Sequence, residues 1–298
     1  MKLRPALSLL TFFFLALPIG ASPSENLGAN KKVGKYVNVD DIKLYYETYG
    51  HGEPVLLFHG NGGSMSGFIE LLPRLAKHYK VIAVDSRSHG KSTDSKKELT
   101  FTLLASDMSE LIKKLNLGQV YIVGQSDGGN IGLELALAHP EQVKKVVAMG
   151  ANYTHENYEA KDEKIQMDKN DPFIKKMTPR LKAALKTRPK ATPELQKKYE
   201  ELDNKYPNLT REQLKQIKTP FLIVNGDHDL ISLAHTVDLF SNLPHAQLLV
   251  FPNASHISYL EEPEALSAAI RKFFETPYRD LDRFYFGKIR KELEAQSK

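Results

Sequence analysis

The sequence predicts an α/β protein built on a mainly parallel sheet with helices on both faces. Two observations lead to this fold class. Short apolar runs rich in Val, Ile and Leu recur along the chain between turn residues, and such runs are typical of strands buried on both faces. Segments with helical periodicity lie between these runs, and an alternation of strands and helices is typical of a parallel sheet.

The strands and helices of the predicted core alternate along the chain. The strand candidates after residue 50 are VLLF (55–58), VIAVD (81–85), VYIVG (120–124), VKKVVAMG (143–150), FLIVNG (221–226) and QLLVF (247–251). Helical patterns occupy 68–78, 101–115, 130–139, 233–243 and 263–275. Before them, YVNV and IKLYYETYG flank Asp40-Asp41 and predict a hairpin that adds an antiparallel edge. The core is therefore expected at 36–152 and 219–276.

One long segment, 153–218, interrupts the alternation. No glycine occurs between Gly150 and Gly226, and the segment is rich in lysine and acidic residues. A structureless loop of this length is uncommon in a compact domain. We therefore predict a helical cap over the C-terminal edge of the sheet, with a long surface excursion as the alternative. The tail at 277–298 predicts one further helix without evident chemistry.

The first 21 residues have the pattern of a secretory signal peptide. Lys2 and Arg4 precede an apolar run at 6–19, which is shorter than the roughly 20 residues of a membrane span. Small residues follow, so we expect cleavage near Ala21, a linker at 22–35 and export to the periplasm or the medium. No membrane span is expected after cleavage, and an uncleaved membrane anchor is the alternative.

The composition excludes several function classes. The 298 residues include no cysteine, which excludes disulfides, thiolate metal sites and cysteine catalysis. The formal net charge of +5 includes Lys2 and Arg4, so the chain without them carries +3, too small a bias to indicate a nucleic-acid partner. We therefore expect a small-molecule substrate. The sequence does not predict an oligomeric state.

The main chemical signal is Gly124-Gln125-Ser126-Asp127-Gly128. It fits the pattern G-x-S-x-G between a predicted strand and a predicted helix, where a tight turn projects the serine hydroxyl away from the sheet. Small residues are needed there because the strand and helix backbones approach closely. The alternative is a glycine-rich turn with an inert serine.

A serine nucleophile requires a base, and the base requires an orienting acid. Both should follow strands, because they must reach the same edge of the sheet. Among the ten histidines, His256 lies just after the last predicted strand and is the predicted base. Asp227 and Asp229 follow FLIVNG, and the spacing from Gly226 favours Asp229 as the acid, with Asp227 fixing the turn.

The loop His59-Gly60-Asn61-Gly62-Gly63 after VLLF predicts an oxyanion hole. The backbone N–H of Asn61, together with that of Asp127, would hold the developing negative oxygen. His59 is expected to support the loop by hydrogen bonding. A phosphate-binding loop is excluded, because the segment has neither a Lys-Ser/Thr ending nor a G-x-G-x-x-G pattern.

These motifs resemble those of the α/β-hydrolase fold family over residues 36–276. Residues 85–92, DSRSHGKS, are similar to the family's D-x-R-G-x-G-x-S loop, with Ser88 where glycine is usual; that departure suggests a locally different turn. The resemblance implies an eight-stranded sheet, a variable cap, and Ser126, Asp229 and His256 as nucleophile, acid and base, without a metal or cofactor. Serine at the elbow argues against haloalkane dehalogenases and epoxide hydrolases, which use aspartate there.

The expected reaction is two-step acyl transfer on a small ester or, less often, an amide. Two alternatives stay open: C–C hydrolase, lyase or perhydrolase chemistry on the same three residues, and a non-catalytic ligand-binding protein. Asp127 either selects a cationic group of the substrate or stabilises the helix start. The candidates for the cap side of the pocket are Tyr153, Tyr158, Phe173 and Met177.

Overall fold

The computed structural model describes residues 26–157, 170–279, 281 and 284–297. The strands in this part of the chain are β1 (Gly34–Val39), β2 (Ile42–Tyr49), β3 (Pro54–Phe58), β4 (Lys80–Val84), β5 (Val120–Gln125), β6 (Val143–Met149), β7 (Phe221–Gly226) and β8 (Ala246–Phe251). Within the described residues they form one eight-stranded sheet in the order β1-β2-β4-β3-β5-β6-β7-β8. Strands β1, β2 and β4 pair antiparallel, and the remaining pairs are parallel. The predicted mostly parallel sheet with an antiparallel edge is confirmed.

In the described part of the chain, seven helices lie between strands and three follow the last strand. They are α1 (Leu72–Leu75), α2 (Phe101–Lys114), α3 (Asp127–Ala138), α4 (Pro172–Lys186), α5 (Pro193–Lys205), α6 (Arg211–Gln216), α7 (Leu233–Asn242), α8 (Ser258–Glu261), α9 (Pro263–Glu275) and α10 (Tyr285–Gln296). Three of them, α4 to α6, lie between β6 and β7, inside the segment predicted as a cap.

The helix predicted at 68–78 is shorter than expected. A 3-10 turn at Met65–Ile69 comes first, with a non-helical backbone at Phe68, and α1 covers only Leu72–Leu75. Pro73 lies in the first turn of α1, where its missing N–H and fixed φ are tolerated; further inside a helix they are not. Proline therefore starts a new, short helix here instead of continuing the earlier turn.

The sheet separates two apolar cores, and β3 shows why. Leu56 and Phe58 pack into one core, while Val55 and Leu57 pack into the other. All four side chains are fully buried, because successive residues of a strand point to opposite faces and helices cover both. Strand order reverses at β3, so the loops that follow β3 and β5 emerge side by side, as at the ligand-binding edge of other α/β sheets.

The ends of the chain differ from the prediction in one respect. Within the predicted linker at 22–35, Leu27 is buried, and the N–H groups of Gly28 and Asn30 donate to the Glu47 carboxylate. The mostly polar composition of this stretch gave no indication that Leu27 would be buried. The predicted signal peptide lies outside the described residues, so export stays a prediction. None of the helices in the described ranges has the length and apolar character needed to span a bilayer.

Candidate active site

Ser126 lies on a sharp turn between β5 and α3. Its backbone has φ 53° and ψ −121°, a left-handed conformation that is uncommon outside glycine and concentrates at functional sites. The turn is closely packed: a Cβ added at Gly128 would lie 1.9 Å from the carbonyl oxygen of Phe58, and one at Gly124 would lie 2.2 Å from that of Gly128. The two glycines of the motif are therefore sterically required.

Asp229 and His256 form a pair beyond the ends of β7 and β8. His256 Nδ1 lies 2.6 Å from Asp229 Oδ1, and the Asp229 side chain is 1% exposed while that of His256 is 17% exposed. Because a carboxylate accepts hydrogen bonds, Nδ1 is the donor, and the basic lone pair lies on Nε2. Asp229 Oδ1 also accepts from the N–H of Ile231 at 2.9 Å, which fixes the carboxylate.

Asp227 has a different environment. Its carboxylate accepts from the Ala254 N–H at 3.2 Å and lies 2.7 Å from His228 Nδ1. A backbone hydrogen bond from Asn253, followed by the contact with His228, lowers the pKa of Asp227 to about 2. This aspartate therefore holds the turn, and the structure brings Asp229 to His256 instead.

Ser126, His256 and Asn61 line one cavity of about 380 Å3. Two glycines make room for them. A Cβ at Gly150 would lie 2.7 Å from His256 Nδ1, and one at Gly60 would lie 3.0 Å from the Cβ of Ser126. The loop after β3 thus passes directly beside the serine. The volume of the cavity is at the lower end of the range for small-molecule sites.

His59 supports this loop. Its Nδ1 lies 2.8 Å from the carbonyl oxygen of Gly60, and its Nε2 accepts from the Ser86 N–H at 3.1 Å. Desolvation by burial lowers the pKa of His59 to about 4, so the ring is neutral at physiological pH. Both ring nitrogens are committed to backbone groups, which leaves His59 no proton-transfer role.

Asp127 follows the serine and begins α3, and it is not among the described residues that line the cavity. The side chain is buried, and Oδ2 has no hydrogen-bond partner among the described residues. Burial, and secondly the negative charge of Asp203, raise the pKa of Asp127 well above its usual value. Because this carboxyl is buried and Asp127 is not among the described residues that line the cavity, its environment does not favour the cation-selecting interpretation of Asp127.

Among the described residues of the segment predicted as a cap, those that line the cavity are not the predicted Tyr153, Phe173 and Met177. Tyr153 stacks on His235 with ring centroids 4.5 Å apart, and its hydroxyl donates to Asp238, which holds it at α7. Phe173 is exposed at the start of α4, and Met177 packs into an apolar core. Tyr158 lies outside the described residues. The cap residues that line the cavity are Leu181, Ala184, Leu185, Arg188 and Asp203.

Comparisons with known proteins agree with this architecture. A family model described as the alpha/beta hydrolase fold matches residues 53–211, more than half of the chain. A 2-hydroxy-6-oxo-6-(2'-aminophenyl)hexa-2,4-dienoic acid hydrolase of Metapseudomonas resinovorans is 37% identical over 40% of this chain, but the match spans only 42% of that relative. A putative esterase/lipase of Haemophilus influenzae is 25% identical over 74% of this chain and 83% of its own length.

Solved structures show the same fold. The enol-lactonase from Burkholderia xenovorans superposes with a TM-score of 0.69 at 21% sequence identity, covering 81% of this chain and all of that one. At this level of identity the likeness concerns the arrangement of strands and helices, and it leaves the substrate open.

Proposed function

The chain belongs to the α/β-hydrolase fold family and is a hydrolase, and we propose that it cleaves an ester bond of a small substrate through an acyl-enzyme on Ser126. The observation that carries this proposal is the 2.6 Å contact between His256 and Asp229 beside the cavity that Ser126 lines. A histidine oriented by a buried carboxylate near a serine on a strained turn is the arrangement that makes a hydroxyl nucleophilic.

The proposed reaction has two steps. His256 Nε2 takes the proton of the Ser126 hydroxyl as its oxygen attacks the ester carbonyl, and Asp229 stabilises the imidazolium that forms. The backbone N–H groups of Asn61 and Asp127 hold the oxyanion, each contributing about 3 kcal/mol in characterised enzymes. The intermediate then expels the alcohol, which receives the proton from His256. Water releases the acid by the same sequence, and Ser126 regains its hydroxyl.

Labelling with a fluorophosphonate tests the nucleophile, and hydrolysis of p-nitrophenyl esters tests the reaction. Ser126→Ala should abolish both. Asp229→Asn should lower kcat by about 10⁴-fold, because the amide no longer holds the productive tautomer. Asp227→Asn is the matched control and should stay within a few-fold of wild type, since Asp227 contacts the turn. Labelling that survives Ser126→Ala would contradict the proposal.

A second candidate reaction is C–C hydrolysis of a 2-hydroxy-6-oxo acid, and Arg188 favours it. Arg188 lines the cavity from the end of the cap helix α4, and no carboxylate pairs with it among the residues that the structure describes. The M. resinovorans relative is named for a carboxylic acid substrate. A guanidinium facing the cavity would bind such a carboxylate with two charge-assisted hydrogen bonds.

Comparing Arg188→Gln on charged and neutral substrates tests this second candidate. The variant should raise KM for a 2-hydroxy-6-oxodienoate by about tenfold or more, because a charged hydrogen bond contributes about 1.5–3 kcal/mol, and leave a neutral ester unchanged. Lys186→Gln, two residues earlier on α4, is the control. If the wild-type protein hydrolyses only the ester, ester hydrolysis remains the proposed function. If it hydrolyses only the dienoate, C–C hydrolysis replaces it.

A further inference from the structure

The loop beside Ser126 is attached to the cap through the side chain of Asn61. Asn61 Nδ2 donates to the carbonyl oxygen of Tyr199 on α5 at 2.9 Å, and Asn61 Oδ1 accepts from the Gly62 N–H at 2.8 Å. One side chain therefore bridges the cap helix and the loop's own backbone. Movement of Asn61 away from α5 would break its bond to Tyr199.

A second attachment runs through His89. The Gly62 N–H donates to His89 Nε2 at 3.0 Å, and His89 Nδ1 lies 2.8 Å from the carbonyl oxygen of Arg87. Because that carbonyl can only accept, Nδ1 carries the hydrogen and Nε2 is free to accept from Gly62. Burial lowers the pKa of His89 to about 3, so this pattern of donors and acceptors persists at physiological pH.

Helix α5 packs directly against His89. The Tyr199 ring stacks on the His89 ring with centroids 4.2 Å apart and planes 20° apart, and its hydroxyl donates to the carbonyl oxygen of Ser88 at 2.5 Å. Aromatic stacking of this kind adds about 0.5–1.5 kcal/mol beyond burial. Tyr199 thus contacts the Asn61 loop directly through its carbonyl, and through its ring it contacts His89, which accepts from Gly62 of that loop.

We propose that the cap helix α5 positions the oxyanion loop, with the Asn61 side chain and the Tyr199–His89 stack as the two attachments. Asn61 then has two separate roles: its backbone N–H faces the oxyanion, and its side chain sets the direction of that N–H. Tyr199 and His89 are positioning residues. The oxyanion hole is complete only when α5 is seated on the loop, so cap closure and transition-state stabilisation are coupled. This inference rests on the proposed function of Ser126.

The rate of Ser126 labelling by a fluorophosphonate measures this coupling, because phosphonylation also develops negative charge on an oxygen. Asn61→Ala removes the bridge but keeps the backbone N–H. Tyr199→Leu removes the stack and the hydroxyl while keeping an apolar side chain. Each should slow labelling about tenfold or more, short of the 10²–10³-fold loss seen when a donor is removed outright. With an ester substrate, kcat should fall by a similar factor while KM stays within twofold.

Lys205→Ala is the control on the same helix, since it breaks only the exposed 2.8 Å pair with Glu98 and should label at the wild-type rate. The double variant Asn61→Ala/Tyr199→Leu should be little slower than the slower single variant, because both act on one loop. Wild-type labelling rates in either folded single variant would overturn the inference. A wild-type protein that resists labelling would overturn the proposed function and the inference with it.

Discussion

At the scale of single residues, Gly150 decides whether His256 and Asp229 can meet. Its φ is +56°, and an added Cβ would lie 2.7 Å from His256 Nδ1 and 3.2 Å from Asp229 Oδ2. The first of these distances is shorter than real Cβ contacts allow. The strand-end glycine is therefore part of the site, although it carries no functional group.

Gly150→Ala should consequently impair catalysis more than stability. The methyl group must displace the His256 ring, and a shift of about 1 Å in a catalytic group can cost around 100-fold in rate. Gly118→Ala is a matched control, because its φ of +66° imposes a similar backbone strain while nothing lies within 4 Å of its Cβ. Ester hydrolysis and thermal melting of both variants test this, and equal losses of activity would contradict the steric explanation.

At the scale of elements, Arg87 joins α2 to the loop after β4. Its side chain is fully buried. It makes two hydrogen bonds of 2.7 Å to Asp107 on α2 and one of 2.6 Å to Asp41 in the β1–β2 turn. The loop that carries His89 therefore depends on a buried ion pair as well as on the sheet.

Removing one partner of this ion pair should be strongly destabilising. Asp107→Ala removes the buried carboxylate and leaves only the more exposed Asp40 and Asp41 carboxylates beside the guanidinium. The loss should therefore approach the roughly 3–5 kcal/mol that breaking a buried ion pair costs. Glu110→Ala on the same helix breaks an exposed 3.1 Å pair with Lys113 and should cost less than about 1 kcal/mol. Urea denaturation of the two variants makes the comparison, and similar midpoints would contradict it.

The same loop contains Ser88, which stands where the family usually has glycine. Its φ is +65°, in the left-handed region that glycine adopts readily, and the expectation of a locally different turn stays a prediction. The Ser88 hydroxyl donates to Asp94 Oδ1 at 2.5 Å. Glycine could not make this hydrogen bond, which accompanies a backbone conformation that propensity alone assigns to glycine.

At the scale of the whole molecule, the sheet and the cap differ in how far the sequence determines them. Strands such as β3 and β5 are continuous apolar runs because both their faces are buried, and residues that follow them must share an edge. Ser126, Asp229 and His256 could therefore be placed at one edge of the sheet in advance, and their catalytic roles stay a prediction. Arg188 and Asp203 lie in a lysine- and acid-rich segment without such a pattern, and only tertiary contacts, such as Ser66 Oγ to the Ala184 carbonyl at 2.5 Å, turn them toward the cavity.

Stability against acid is also a property of the whole fold, because buried histidines and buried carboxyl groups change the free energy of unfolding with opposite signs as the pH falls. Desolvation lowers the pKa of His235 to about 4, although Asp238 acts in the opposite direction. Burial raises that of Asp85 to about 6. Between pH 6.5 and 4 the unfolded chain binds more protons at His235, so acid destabilises the fold through this group. At Asp85 the native state binds more protons between pH 6 and 4, which opposes that loss.

A variant at His235 isolates one of these contributions. The ring is buried, and its Nε2 accepts from the Tyr153 N–H at 3.1 Å; glutamine can keep an acceptor there without titrating. With a pKa of 6.5 unfolded and about 4 folded, linkage gives a loss of about 2 kcal/mol between pH 7 and pH 5. His235→Gln should lose about 2 kcal/mol less than wild type over this interval, whatever the sum of the other groups. Urea denaturation at the two pH values measures both losses, and equal losses would show that His235 is not held neutral by burial.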